Sequence, residues 1–199
     1  GERIPLTVAD YDRQHGTSTV VVQALGKTTR EMRDRYEEGD SFDDFVGPLG
    51  LPQHVERVGH VVLVGGGLGV APVYPQLAAF KAAGNRTTSI IGFRTRDLVF
   101  WEDRFGRHSD RLIVCTDDGS HGEPGFVTEA LRRVLETDRP DLVIAIGPLP
   151  VMHACVETTR EDGPPSTRYY HSSARLPPEP FARAVRPHEP LQHPHHHGL

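Results

Sequence analysis

The residues with the clearest chemical potential are Gly65-Gly66-Gly67-Leu68-Gly69, a glycine run preceded by the apolar stretch His60 to Val64 and followed by a helical pattern. Glycines let the backbone approach a pyrophosphate closely. A helix starting there adds N–H groups without intrahelical partners and the positive end of its dipole. Strand, glycines and helix in that order read as a nucleotide phosphate site rather than a plain turn. Pro72, after Val70 and Ala71, suits the first helical turn, where its missing N–H breaks no bond. The common dinucleotide fingerprint adds an acidic residue about 20 positions on. Here that region reads Ile90-Ile91-Gly92-Phe93-Arg94-Thr95-Arg96, with no acid at the strand end, so the loop belongs to another class of nucleotide domain.

Such a loop must be positioned by a sheet, and the pattern of the chain supplies one between residues 56 and 160. Apolar runs at His60 to Val64, Thr88 to Phe93, Arg111 to Thr116 and Asp141 to Ile146 alternate with helical spacing at Val73 to Ala83, Leu98 to Phe105, Phe126 to Leu135 and Pro150 to Thr159. Strands separated by helices imply a parallel sheet with right-handed crossovers, and continuously apolar strands imply cover on both faces. Residues 1–55 differ. Thr17 to Leu25 is rich in β-branched residues and follows Gln14-His15-Gly16, which predicts a hairpin, and Thr28 to Tyr36 predicts a short helix. With the turn cluster Gly47-Pro48-Leu49-Gly50, this region reads as part of a β-barrel. Residues 161–199 hold 8 of the 17 prolines and 6 of the 12 histidines and keep no period, so this segment is expected to be a disordered tail.

Composition excludes several classes. A net charge of −5 does not suit a general nucleic-acid binder. The two cysteines, Cys115 and Cys155, have neither disulfide-framework nor zinc spacing. The sequence has no apolar run of about 18 residues that would span a membrane. The opening residues, Gly1-Glu2-Arg3-Ile4-Pro5, resemble no secretory leader and read as a chain entered within a domain, which makes a cytoplasmic location the default expectation.

Several motifs, taken in order, carry a resemblance. Gly-Gly-Gly-Leu-Gly-Val-Ala-Pro at 65–72 resembles the nucleotide loop of the ferredoxin–NADP reductase superfamily. Arg3-Ile4-Pro5-Leu6-Thr7 resembles its flavin motif, Gly26-Lys27-Thr28-Thr29 its second flavin element, and Gly147-Pro148-Leu149-Pro150-Val151-Met152 its loop beside the nicotinamide. Val46-Gly47-Pro48-Leu49-Gly50, Cys115-Thr116-Asp117-Asp118-Gly119-Ser120 and Gly125-Phe126-Val127-Thr128 narrow the resemblance to one branch. That branch holds the dihydroorotate dehydrogenase electron-transfer subunit and the small FAD/NAD-binding subunits of sulfide dehydrogenase and of NADH-dependent reduced ferredoxin:NADP oxidoreductase.

The resemblance, which covers roughly residues 1–160, implies an α/β fold: a parallel-sheet nucleotide domain preceded by a partial FAD-binding β-barrel. The implied activity is electron transfer between NAD(P)H and a partner redox centre through FAD, the partner being a catalytic oxidoreductase subunit or an iron–sulfur protein. The implied FAD contacts are Arg3, Pro5, Leu6, Thr7, Gly26, Lys27, Thr28 and Thr29. The implied nicotinamide-nucleotide contacts are Gly65, Gly66, Gly67, Gly69, Val70, Ala71, Pro72, Arg94, Thr116, Asp117, Asp118, Gly147, Pro148 and Met152. No acid–base catalytic group and no metal site is implied for these residues. Members of the branch also carry barrel strands before the Arg motif and a cysteine cluster for a 2Fe–2S centre. This sequence begins at the motif and lacks those ligands. The alternative is therefore a non-catalytic nucleotide-binding remnant that takes NAD(H) without stable FAD.

Superfamily members that use NADPH place Ser and Arg where this chain has Thr116-Asp117-Asp118. Two carboxylates repel a 2′-phosphate and accept hydrogen bonds from a 2′-hydroxyl, which favours NADH. Two other readings stand beside this one: the aspartates shape the turn before Gly119, or Arg94 and Arg96 receive a phosphate. Cys115, in Leu112-Ile113-Val114-Cys115, reads as a buried small hydrophobe, with contact to the nicotinamide as the alternative, and Cys155 reads as packing. Trp101 and Phe105, spaced i, i+4, read as one helix face. His193, His195, His196 and His197 read as an adventitious metal tract at most.

Overall fold

The computed structural model describes residues 3–50, 53–162 and 166–171. In chain order the elements are β1 (Val8–Asp12), β2 (Thr17–Val20), α1 (Lys27–Arg35), β3 (His60–Gly66), α2 (Val70–Ala82), β4 (Arg86–Phe93), α3 (Glu102–His108), β5 (Arg111–Thr116), β6 (Glu123–Pro124), α4 (Val127–Thr137), β7 (Leu142–Gly147), α5 (Leu149–Asp162) and β8 (Ser166–His171). Strands β3 to β8 form one parallel sheet in the order β6-β5-β4-β3-β7-β8. The chain winds outward from β3 through β4 to β5, then returns to lay β7 on the other side of β3. The strand order thus reverses between β3 and β7.

Side-chain alternation along the strands divides the core between the two faces. Val61, Leu63, Ile91 and Phe93 pack with Val73, Leu77 and Phe80 of α2 and with Phe105 of α3. Val62, Val64, Ile90 and Ile113 pack with Ala130, Leu131 and Val134 of α4 and with Met152 and Cys155 of α5. Each large apolar side chain buried this way stabilises the fold by about 1.5–3 kcal/mol. A polar clasp closes the entry to the sheet. Asn85, 3% exposed, accepts the N–H groups of Val58 (2.8 Å) and Gly59 (3.0 Å) and donates to the carbonyls of Glu56 and Phe80, each at 2.9 Å.

The expected hairpin is present: β1 and β2 pair antiparallel, and Asp12 closes the turn by accepting the N–H groups of Gln14 and His15. A register shift between Val8 and Asp10 turns Ala9 inward, where it is fully buried, and the strand packs on α2. The two strands are the only barrel strands among the described residues of this region. Beyond α1, Tyr36, Phe42 and Phe45 stack on one another yet remain exposed.

Three expectations need correction. The β2 strand stops at Val20 instead of continuing to Leu25. The helix expected over 98–105 is a 3-10 turn, Arg96–Leu98, then a left-handed residue, Trp101 (φ 62°), and then α3 from Glu102. The acidic pair Glu102 and Asp103 occupies the first turn of α3, where the helix dipole favours it. In the segment expected to be disordered, Ser166–His171 forms the edge strand β8, because its hydroxyl and aromatic residues pair in register with Leu142–Gly147. Residues 172–199, including the histidine tract, lie outside the described residues.

Candidate functional site

In a parallel sheet all strands end on the same edge, so the residues following β3, β4, β5 and β7 come together there. Gly66 opposes Gly92 in register, Phe93 opposes Thr116, and Gly65 opposes Ile146. Open α/β sheets bind ligands outside the strand carboxyl ends where the strand order reverses, which here is the crevice between β3 and β7.

The glycine loop lines that crevice. Gly67–Gly69 makes a single 3-10 turn that runs into α2, with the Val70 N–H donating back to the carbonyls of Gly67 and Leu68. Gly69 meets the end of β7 so closely that a Cβ would stand 2.3 Å from the Ile146 oxygen. Gly147 faces the Gly66 backbone across the crevice, and a Cβ on Gly147 would lie 3.4 Å from it. Gly67 is the open position of the loop: φ is +54° and a Cβ would meet nothing within 4 Å. The 13-residue α2 starts at this loop, and the 14-residue α5 starts at Leu149, just after exposed Pro148. Two helix N-termini thus border one crevice, a setting that favours a pyrophosphate. Val70 and Ala71 are buried and can offer only backbone, and Pro72 is half-buried.

At the ends of β4 and β5 the structure separates the expected contacts. Arg94 and Asp117 are exposed neighbours: the Asp117 N–H donates to the Phe93 carbonyl at 3.0 Å and the Asp118 N–H to the Arg94 carbonyl at 3.3 Å. The Asp117 carboxylate has no hydrogen-bond or ion-pair partner among the described residues. Asp118 is engaged in the turn: it accepts the Ser120 hydroxyl (2.6 Å) and N–H (3.0 Å), and these bonds hold its carboxyl below the usual range. Thr116 is a correction. It is fully buried, and its hydroxyl donates to the His121 carbonyl and accepts the His121 N–H, so it shapes the loop instead of facing a ligand. Met152 is another, since at 1% exposure it belongs to the core under α5.

Sequence reasoning assigned no role to Phe126, which is 59% exposed. The Gly125 N–H donates to the Thr116 carbonyl at 3.0 Å, which sets Phe126 beside the end of β5. It also missed the ties between rim loops: Ser120 Oγ accepts the Arg96 N–H, and His121 Nε2 lies 2.7 Å from Glu102. An aromatic directly after a glycine, Gly125-Phe126, was the available signal for the former. No local signal marks the latter, which join residues 19 and 24 positions apart.

The expected flavin residues gather at one end of the hairpin. Val8 pairs with Val20, so Arg3–Thr7 enters and Val21–Thr29 leaves from the same side. Arg3, Pro5, Thr7, Gly26 and Lys27 are exposed, while Leu6, Thr28 and Thr29 are half-buried. Arg3 pairs with Asp44 at 2.5 Å. Thr29 is occupied at the start of α1: its hydroxyl accepts the N–H groups of Leu25 and Gly26 and donates to the Gly26 carbonyl. An exposed guanidinium, a hydroxyl and a helix N-terminus on one side fit the pyrophosphate and polar edge of a flavin dinucleotide.

The cysteines fit no iron–sulfur cluster. Both are buried and neither is in a disulfide, and burial pushes the Cys115 thiol up to about 11 and the Cys155 thiol to about 12. Among the described residues no group of three His, Cys, Asp or Glu side chains could hold a metal ion, and no helix is long and apolar enough to cross a membrane.

Known proteins resemble this chain in sequence and fold. The chain is 46% identical over 165 residues to a dihydroorotate dehydrogenase B (NAD(+)) electron transfer subunit homolog of Thermotoga maritima, covering 83% of this chain and 58% of that protein. It is 33% identical over 166 residues to the dihydroorotate dehydrogenase B (NAD(+)) electron transfer subunit of Fusobacterium nucleatum, covering 81% and 63%. A solved NADH-dependent reduced ferredoxin-NADP oxidoreductase superposes with a TM-score of 0.78 at 43% identity, covering 88% of this chain and 62% of that one.

In sequence and in fold the chain is similar to ferredoxin reductase-like electron transfer proteins.

No protein-family model matches the chain. The chain spans about three fifths of the length of these ferredoxin reductase-like relatives.

Proposed function

We propose that this chain is the nucleotide- and flavin-binding part of an electron transfer subunit, passing electrons between a nicotinamide, NADH in preference to NADPH, and a redox centre on a partner oxidoreductase or iron–sulfur protein. The observation that carries the reading is the crevice at the strand-order reversal, lined by Gly66, Gly67, Gly69, Gly147 and Pro148 between two helix N-termini.

In this reading the backbone of Gly65–Gly69 and the start of α2 hold the pyrophosphate. Asp117 receives the adenosine ribose hydroxyls and disfavours a 2′-phosphate, while Arg94 stands beside it. Gly147 leaves room for the nicotinamide next to Gly66. Arg3, Thr7, Lys27 and the N-terminus of α1 hold the flavin. When bound, the flavin supplies the step from two-electron to one-electron transfer. The protein's own part is to orient the two groups and keep water from between them.

A second reading is favoured by the Arg3–Asp44 pair and by the sealed Thr29 hydroxyl: a module that binds NAD(H) but retains no flavin. The absorbance spectrum of the purified chain, followed by titration with NADH and NADPH, separates the two. A flavin spectrum bleached by NADH supports electron transfer. A colourless protein that still binds NADH selects the second reading, and a protein that binds neither nucleotide refutes both.

A further inference from the structure

We infer that Arg104 is a positioning residue that fastens the β1–β2 hairpin to the nucleotide domain and so fixes where the flavin-side residues stand relative to the glycine loop. The functional half of this inference rests on the reading above; the structural half does not. Arg104 Nη1 donates to Asp10 Oδ2 at 2.8 Å, joining α3 to β1 across 94 positions. The same guanidinium lies 4.7 Å from the centre of the Trp101 ring and 5.9 Å from that of Tyr74. Trp101 and Tyr74 meet edge to face at 5.5 Å, and the Tyr74 ring also lies 5.5 Å from His108 and 5.6 Å from Phe105.

Three features point to a built clamp rather than a chance surface pair. The backbone of Trp101 is left-handed, a conformation that a bulky residue adopts only when its surroundings hold it there, and it brings the indole under the guanidinium. Ala9, next to Asp10, is the fully buried residue of β1, so the ion pair sits where the hairpin touches α2. A planar guanidinium can stack on a ring while donating in its own plane, which an ammonium cannot. The clamp also joins the relevant parts. Asp10 lies three residues after Thr7 of the flavin motif, and Tyr74 lies on α2, whose N-terminus is the glycine loop. A misplacement of about 1 Å between reacting groups can slow a reaction on the order of a hundredfold.

Trp101 is the only tryptophan of the chain, so its emission reports on the stack directly. The test compares the full chain with Arg104→Met, Arg104→Lys and Asp10→Asn by hydrogen–deuterium exchange, tryptophan emission and flavin reduction by NADH. Arg104→Met is expected to raise exchange of the Val8–Asp12 amides about tenfold while leaving β3 and β7 unchanged. It should also shift Trp101 emission to the red and slow flavin reduction at saturating NADH by about tenfold, with half-saturation changed less than about twofold. Arg104→Lys should restore part of the exchange protection but not the emission. If Arg104→Met does not fold, Asp10→Asn is expected to give the same pattern at about threefold. Wild-type exchange in β1 of a folded variant overturns the clamp, as does an equal rise in β1, β3 and β7. A wild-type chain that takes up no flavin defeats the functional reading instead, and exchange with emission then decides the clamp alone.

Discussion

Alanine at Gly69 tests the geometry on which the proposed nucleotide site depends. A methyl group there would stand 2.3 Å from the Ile146 oxygen, 2.6 Å from its carbonyl carbon and 2.8 Å from Gly147 Cα, all backbone atoms that cannot swing aside. Ordinary contact begins near 3.4 Å, so the loop and the end of β7 must part by roughly 1 Å. Overpacking of this kind destabilises by about 1–3 kcal/mol, and the inflexible neighbours place Gly69→Ala toward the upper end. Because the parted contact is the wall of the crevice, NADH affinity should fall with it, by about tenfold or more. Gly67→Ala is the control. Its methyl meets no atom within 4 Å, so its stability loss is limited to the left-handed backbone, about 1–2 kcal/mol, but the methyl occupies the opening assigned to the pyrophosphate. Gly69→Ala should therefore lose mostly stability and Gly67→Ala mostly binding. Urea unfolding and calorimetric titration with NADH measure the two quantities. A Gly69→Ala chain with the wild-type midpoint would refute the close approach, and a Gly67→Ala chain with wild-type affinity would remove the pyrophosphate from this crevice.

Asp117→Asn should lessen the preference for NADH over NADPH by about tenfold, since the free carboxylate is the repulsive element, whereas Asp118→Asn should act chiefly on the turn it shapes with Ser120; binding constants for both nucleotides decide it, and an unchanged ratio in Asp117→Asn removes that role. His60, 4% exposed, is held below its ordinary value of 6.5 by burial and then by Arg86, against opposing pulls from Asp138 and Asp141, with Nε2 2.9 Å from the Thr88 hydroxyl. The unfolded chain therefore takes up a proton near pH 6.5 that the folded chain resists, so stability is full above that pH and falls below it, with a slope of up to about 1.4 kcal/mol per pH unit. Denaturation midpoints between pH 8 and 5 should show this fall, and His60→Gln should flatten it; an equally steep fall in the variant assigns it to other groups. Asn85→Ala removes four hydrogen bonds, three of which join the segment entering β3 to the α2–β4 turn, and should destabilise by about 2–4 kcal/mol in urea unfolding, while a loss under about 1 kcal/mol would show that water replaces the clasp.

The alternation of apolar strands with helices and the place of the glycine run were legible in the sequence, because period and glycine chemistry are local properties. So were the hairpin over β1 and β2 and the burial of Cys115 and Cys155 in apolar surroundings. The helix misread at 98–105 shows the limit. Trp101 and Phe105 have helical spacing, but the backbone breaks at Trp101, which is packed against Tyr74 from elsewhere in the chain. Likewise β8 was hidden in a Pro- and His-rich composition, since an edge strand needs only one neighbour to pair with, and β7 provides it.

The candidate site divides the same way. Sequence named the glycine run Gly65–Gly69 from its own chemistry, and Asp117 and Gly147 through the motifs that carry the family resemblance. Tertiary structure decided which of the named residues have access to a ligand: it left Asp117 open, committed Asp118 and Thr116 to the turn, and buried Met152 in the core. It also brought Phe126 to the end of β5 and Arg104 to Asp10. The physical reason is that hydrogen bonding and burial are settled by partners far along the chain. A hydroxyl or carboxylate can serve a ligand only if the fold has not already used it.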